Sequence, residues 1–99
     1  MNPEERVFEL VSQIPKGKVT TYGQVARYAD TGPRVVGKYL HQNIDPKTFP
    51  CHRVVHSDGT LAGGYAFGGK DKQKKLLQKE GVELRKNKID LKKFGWVVT

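Results

Sequence analysis

A single cysteine, Cys51, in a chain of 99 residues excludes an internal disulfide. The fold must therefore be held by its own apolar core. That length suits one domain and leaves no room for two. With 36% hydrophobic residues spread along the chain, a modest single core is feasible. No apolar run approaches the roughly 18 residues that a membrane span needs. The acidic start, Met1-Asn2-Pro3-Glu4-Glu5, lacks the apolar run of a signal peptide. An unpaired thiol fits a reducing interior, so the expected location is intracellular: cytoplasm and nucleoid, or the nucleus of a eukaryote.

Local signals divide the chain into short elements. Asn2 reads as an N-cap, Pro3 as the first helical residue, and Glu4 and Glu5 as carboxylates at the positive end of the helix dipole. Val7, Leu10, Val11 and Ile14 follow at i, i+3, i+4 and i+7, predicting a helix that ends before the turn Pro15-Lys16-Gly17-Lys18. Val19-Thr20 reads as extended. Thr21 and Gln24 form a capping box that opens a helix through about Ala29. Asp30-Thr31-Gly32 breaks it, and Pro33 opens another helix, Arg34 to about Asn43, bearing Val35, Val36, Tyr39 and Leu40. Two short helices across a glycine-containing turn make a helix-turn-helix pattern, which many unrelated small proteins share.

Ile44 to Pro50 reads as a loop. Val54-Val55-His56 predicts a short strand running into a hairpin turn at Ser57-Asp58-Gly59-Thr60. Gly63, Gly64, Gly68 and Gly69 surround Tyr65-Ala66-Phe67, without the residue order of a phosphate-cradling loop. Lys70 to Glu80 predicts a charged helix with Leu76 and Leu77 inward, stopped by Gly81. Val82 to Thr99 alternates enough, through Ile89, Leu91, Phe94, Trp96 and Val98, to be extended and partly docked. The expected fold class is mostly α with a small β-hairpin.

The chemistry centres on Pro50-Cys51-His52-Arg53-Val54. Thiolate is the nucleophilic form of cysteine, and neighbouring imidazole and cationic groups favour it. A free cysteine is as often a small buried hydrophobe, and the pentapeptide alone leaves both readings open. Eighteen Lys and Arg against ten Asp and Glu give a net charge of +8. A polyanion follows as partner, nucleic acid first. Much of that excess lies between Lys70 and Lys93, where a solvated basic surface would look the same. His52 and His56 beside Cys51 do not supply the four ligands of a structural zinc, so no metal is expected. A Cys-His hydrolase needs the imidazole to approach from another segment. In an extended chain His52 points away from Cys51, and a bridging water is the easier link.

Read together, the blocks are more specific. Pro15-Lys16-Gly17-Lys18-Val19-Thr20-Thr21-Tyr22-Gly23-Gln24-Val25-Ala26 is followed by Arg34-Val35-Val36-Gly37, Asn43, Pro50-Cys51-His52-Arg53-Val54-Val55, Gly64-Tyr65, Gly68-Gly69, Leu76-Leu77 and Glu80-Gly81. In this order they resemble the DNA-binding domain of O6-alkylguanine-DNA alkyltransferases, over about residues 5–84, with 85–99 as a C-terminal tail.

The resemblance implies a winged helix-turn-helix domain. It would bind double-stranded DNA through the minor groove, flip out O6-alkylguanine and move the alkyl group irreversibly to Cys51. It further implies that His52 activates the thiol through a water, that Glu80 orients His52, and that Asn43 braces the turn. Tyr22 would donate a proton to the guanine ring and help to rotate the phosphate. Arg34 would fill the vacated stack, Gly37 would allow close approach to the groove, and Lys38 and Arg53 would add DNA contacts. Tyr65, Gly68 and Gly69 would form the lid of the alkyl pocket, and the Val54 carbonyl would read the guanine edge. A base inside a duplex cannot present O6 to a sulfur, so extrusion is required.

The pattern also departs from the enzymes. They usually carry an additional N-terminal domain, which is not in this sequence. Alkyltransferase-like proteins, single-domain relatives that usually replace the cysteine, flag lesions for nucleotide excision repair. This chain resembles them in length, in Asp45-Pro46-Lys47-Thr48 and in Phe94-Gly95-Trp96, and resembles the enzymes in Cys51 and the lid. Tyr39 and Val35 are larger than the usual residues of the recognition helix. The expectation is therefore a monomeric single-turnover methyltransferase. The alternatives are a non-enzymatic lesion sensor with excision-repair partners, and a winged-helix transcription factor indifferent to alkylation.

Overall fold

The computed structural model describes residues 1–61 and 68–97. It begins with α1, Pro3–Gln13, capped by Asn2, whose side-chain oxygen accepts from the Glu5 amide at 2.8 Å. Val7, Leu10 and Val11 are buried, and Ile14 continues their stripe as an extended cap residue. Strand β1, Thr20–Thr21, leads directly into α2, Tyr22–Ala29. Half of the expected capping box forms: the Thr21 hydroxyl oxygen accepts from the Gln24 amide at 3.2 Å. The Gln24 side chain instead accepts from the Thr20 hydroxyl at 2.9 Å. Asp30, in the left-handed conformation at φ 57°, ends α2, and α3 runs from Pro33 to His41. Helices α1, α2 and α3 pack on one another.

Cys51–Arg53 forms a single 3-10 turn rather than the extended chain expected. Strand β2, Val54–Val55, follows and pairs parallel with β1, Thr20 opposite Val54 and Thr21 opposite Val55. The hairpin expected at residues 57–60 is thereby corrected. The turn closes, with His56 N–H donating to the Thr60 carbonyl at 2.9 Å. Thr60 then bridges Lys88, not β2. Gly59 allows this closeness: its φ is +87°, and a Cβ there would lie 2.3 Å from the Ile89 carbonyl oxygen.

Helix α4 spans Gly69–Lys79 and ends at Gly81, φ +94°. Leu77 is buried and Leu76 is half-buried. The tail is more structured than the extended segment expected. Strands β3, Leu84–Arg85, and β4, Lys88–Ile89, form an antiparallel hairpin. Its turn residues Lys86 and Asn87 both have positive φ, as a two-residue primed turn requires. Asp90 caps the short α5, Leu91–Phe94. Val19 is held from both sides: its N–H donates to the Phe94 carbonyl at 2.9 Å, and its carbonyl accepts from Trp96 N–H at 2.7 Å. One core cluster lies under α1–α3 and includes Cys51 and Val54. The other joins Val19, Val55, Leu61, Leu77, Val82 and Ile89.

Candidate functional site

The turn Cys51–Arg53 lies between the helical cluster and α4, and neighbouring elements hold each of its side chains. Asn43, just beyond α3, donates from Nδ2 to the Phe49 carbonyl at 2.8 Å and to Cys51 Sγ at 3.4 Å. Its Oδ1 accepts from the Asp45 amide at 2.9 Å. Asn43 therefore ties together both ends of the loop that delivers the cysteine. Cys51 is only 5% exposed. Burial pushes its thiol above the ordinary value of 9.0, against the smaller opposing effect of the Asn43 bond.

His52 reaches Glu80, at the C-terminal end of α4. Its Nε2 is 3.0 Å from Glu80 Oε1. Burial lowers the histidine's pKa below 6.5; Glu80 opposes that shift and Arg53 reinforces it. Histidine is therefore neutral at physiological pH, with the Nε2 proton directed at the carboxylate and Nδ1 as its basic nitrogen. Burial works against charge on Glu80 too, but the bonds from Arg53 and His52 outweigh it and hold the carboxyl below 4.5.

Arg53, expected to add a DNA contact, turns its guanidinium inward. Nε donates to Glu80 Oε1 at 3.0 Å, one terminal nitrogen to Glu80 Oε2 at 2.5 Å, and the other to the Ile14 carbonyl at 2.7 Å. It clamps α1 to α4. A cavity of about 430 Å³ opens over this cluster, walled by Pro46, Pro50 and Leu76, with Lys47 and Lys72 also lining it.

Tyr22, at the start of α2, packs against the helical core near Cys51, its ring 5.5 Å from that of His56. Burial, with a smaller contribution from Cys51, pushes its phenol up to about 12. Gly37 faces Tyr22: a Cβ there would meet the Tyr22 ring at an ordinary 3.9 Å. Arg34 and Lys38 are exposed on α3, whereas Tyr39 packs into the core. Gly68 and Gly69 begin α4 with φ +130° and +73°. A Cβ on Gly68 would lie 2.7 Å from Lys72 Cβ. Tyr65 lies outside the described residues.

Two neighbours were not identified from the sequence. His56 reads from the sequence as a strand residue and a candidate metal ligand, not as the ring neighbour of Tyr22. Among the described residues no group of three or more His, Cys, Asp or Glu could hold a metal ion. Gln73, 1% exposed on α4, donates from Nε2 to the carbonyls of His52 at 3.0 Å and Val54 at 3.2 Å. The available signal was position: Gln73 precedes Leu77 by one helical turn, on the apolar side of a lysine-rich helix. Among the described residues no helix is long and apolar enough to cross a membrane.

The sequence profile of the 6-O-methylguanine DNA methyltransferase DNA-binding domain matches residues 2–82. A methylated-DNA–protein-cysteine methyltransferase from Methanothermobacter thermautotrophicus is 47% identical over 81 residues, covering 82% of this chain and 45% of that protein. The chain thus spans about half the length of the methyltransferases it matches, 45% and 56% in two cases. Alkyltransferase-like protein 1 of Schizosaccharomyces pombe is 36% identical, covering 92% of this chain and 91% of that one. A crystal structure of the S. pombe protein with damaged DNA containing O6-carboxymethylguanine superposes with a TM-score of 0.85, at 33% identity, over 97% of this chain and 95% of that one.

Proposed function

The chain belongs to the 6-O-methylguanine DNA methyltransferase family, through its DNA-binding domain, and from that premise we propose that it repairs O6-alkylguanine in duplex DNA by one irreversible transfer to Cys51. The observation that carries the reading is the pairing of a buried, Asn43-bonded thiol with an adjacent imidazole anchored to Glu80 at 3.0 Å. Helix α3 enters the minor groove. Arg34 occupies the space of the extruded base and hydrogen-bonds its orphaned partner. Lys38 and the wider basic surface supply affinity that does not depend on sequence.

Because the thiol is protonated at rest, a base must act during attack. His52 takes the proton through a water at Nδ1, and the sulfur forms a bond to the alkyl carbon as the carbon–O6 bond breaks. The electron pair returns to the purine, which takes up one proton from solvent while His52 releases the thiol's proton to solvent, so the protons balance. Tyr22, which stays protonated, donates a hydrogen bond to the ring as this charge develops. The net result is an S-alkyl cysteine and an unmodified guanine, without a cofactor. The test is intact-protein mass after incubation with duplex containing O6-methylguanine. One added methyl on the Cys51 peptide is expected, and unchanged mass overturns the enzymatic reading.

A second reading, a lesion sensor that recruits excision repair, draws support from the near full-length match to the S. pombe alkyltransferase-like protein. It predicts selective binding to the modified duplex with no change in protein mass.

A further inference from the structure

We infer that a lysine stripe on α4, formed by Lys72, Lys75 and Lys79 with Lys47 beside it, is a second phosphate-contacting surface that holds the backbone of the duplex apart from α3. The inference rests on the DNA partner of the reading above, and locates the affinity that does not depend on sequence.

The net charge of +8 is unevenly placed. Residues 70–93 hold ten basic and four acidic side chains, a net of +6. Residues 20–43, which contain α2 and α3, hold Arg27, Arg34 and Lys38 against Asp30, a net of +2. The helix-turn-helix therefore has three cations with which to neutralise phosphates, and most of the excess lies elsewhere.

The packing of α4 fixes where that excess points. Gln73 and Leu77 are buried, and Glu80 bonds to His52 and Arg53, so this face turns toward the cysteine turn. Lys72, Lys75 and Lys79 are exposed and lie at i, i+3 and i+7, one stripe beside that face. The stripe rises about 10 Å at about 1.5 Å per residue, which matches about three phosphate steps of about 3.4 Å along one strand. Exposed Lys47, in the loop that delivers Cys51, lines the same cavity as Lys72 and His52. The stripe thus begins beside the reacting turn, where the duplex must arrive.

The lysines are not balanced by the helix itself. Asp71 is the one acidic residue within α4. Among the described residues no carboxylate forms an ion pair with Lys47, Lys72, Lys75 or Lys79. Like charges three and four residues apart work against a helix, and a polyanion laid along the row removes that repulsion.

The experiment measures affinity for an unmodified duplex across a salt series. It compares wild type, Lys72→Gln/Lys75→Gln/Lys79→Gln, and Arg85→Gln/Lys88→Gln/Lys92→Gln. The second triple variant loses the same charge from exposed positions on the C-terminal hairpin and α5. Melting temperatures check that both fold. Each phosphate contact adds about 0.9 to the slope of log affinity against log salt. The α4 variant should therefore lose about 2–3 from that slope, and the tail variant less than about 1. An unchanged slope in the α4 variant overturns the inference and leaves the stripe to an acidic protein. Equal losses in the two variants overturn it in favour of net charge alone. Preference for a duplex with one O6-methylguanine is a separate readout: its absence in wild type would overturn the lesion-binding reading, while the slopes on unmodified duplex still decide this one.

Discussion

His52 and Glu80 face each other across the gap between the cysteine turn and α4, with Nε2 and Oε1 3.0 Å apart. Both bind protons less readily in the folded protein than in the unfolded chain. As the pH falls the unfolded state therefore takes up more protons, and stability declines. The decline should begin as the pH passes the ordinary histidine value of 6.5, and deepen below the ordinary carboxyl value of 4.5. Melting temperatures across a pH series check this. Glu80→Gln should lower stability at neutral pH by about 1–3 kcal/mol and flatten the lower part of the curve.

The rate of alkyl transfer should carry the signature of His52 rather than of a preformed thiolate. The Cys51 thiol is pushed above 9.0 and His52 is held below 6.5. If His52 is the base, single-turnover rates stay level between about pH 6.5 and 8 and fall only on further acidification. Stopped-time mass measurements provide the profile. A rate climbing steadily toward pH 9 would mean that ionised thiol, not His52, limits the step.

Arg53→Lys separates structure from DNA contact. Arg53 makes three bonds, two to Glu80 and one to Ile14, and an ammonium cannot reproduce that fork. A loss of about 2–3 kcal/mol in stability is expected. In Arg53→Gln, which removes the charge, the slope of DNA affinity against salt should not change, because that charge faces inward; a shallower slope would place Arg53 at the phosphates after all.

Arg34→Ala should have the opposite profile. Arg34 is exposed on α3, so stability should move by less than about 0.5 kcal/mol. Lesion binding should weaken and transfer should slow, since an unfilled stack recloses on its base. Equal affinities and rates in variant and wild type would end the intercalating role.

Elements whose signals are local were legible in the sequence. The Asn2 cap, the Pro33 start and the Gly81 stop each follow from one or two residues. The cysteine turn was harder, because Pro50-Cys51-His52 carries no local mark of a 3-10 turn. Its shape comes from Asn43, Gln73 and Glu80, which come from distant parts of the chain. The same limit explains Arg53: a basic residue beside the reactive cysteine reads as a DNA contact until Ile14 and Glu80 are seen around it. The tail misled because alternation suits both a docked strand and a hairpin followed by a helical turn. The deciding residues are Lys86 and Asn87, both at positive φ.

Gly37→Ala gives the sharpest separation between folding and binding. Within the protein the added methyl group has room, meeting Tyr22 at 3.9 Å. Alanine is also the better helix former, by about 0.8–1.0 kcal/mol in a helix interior, and Gly37 lies in the middle of α3. The melting temperature should therefore rise. If α3 presses its backbone into the minor groove, the same methyl group meets DNA, and affinity for modified and unmodified duplexes should fall together. A variant that is more stable and binds as well as wild type would show that this face of α3 stands clear of the groove.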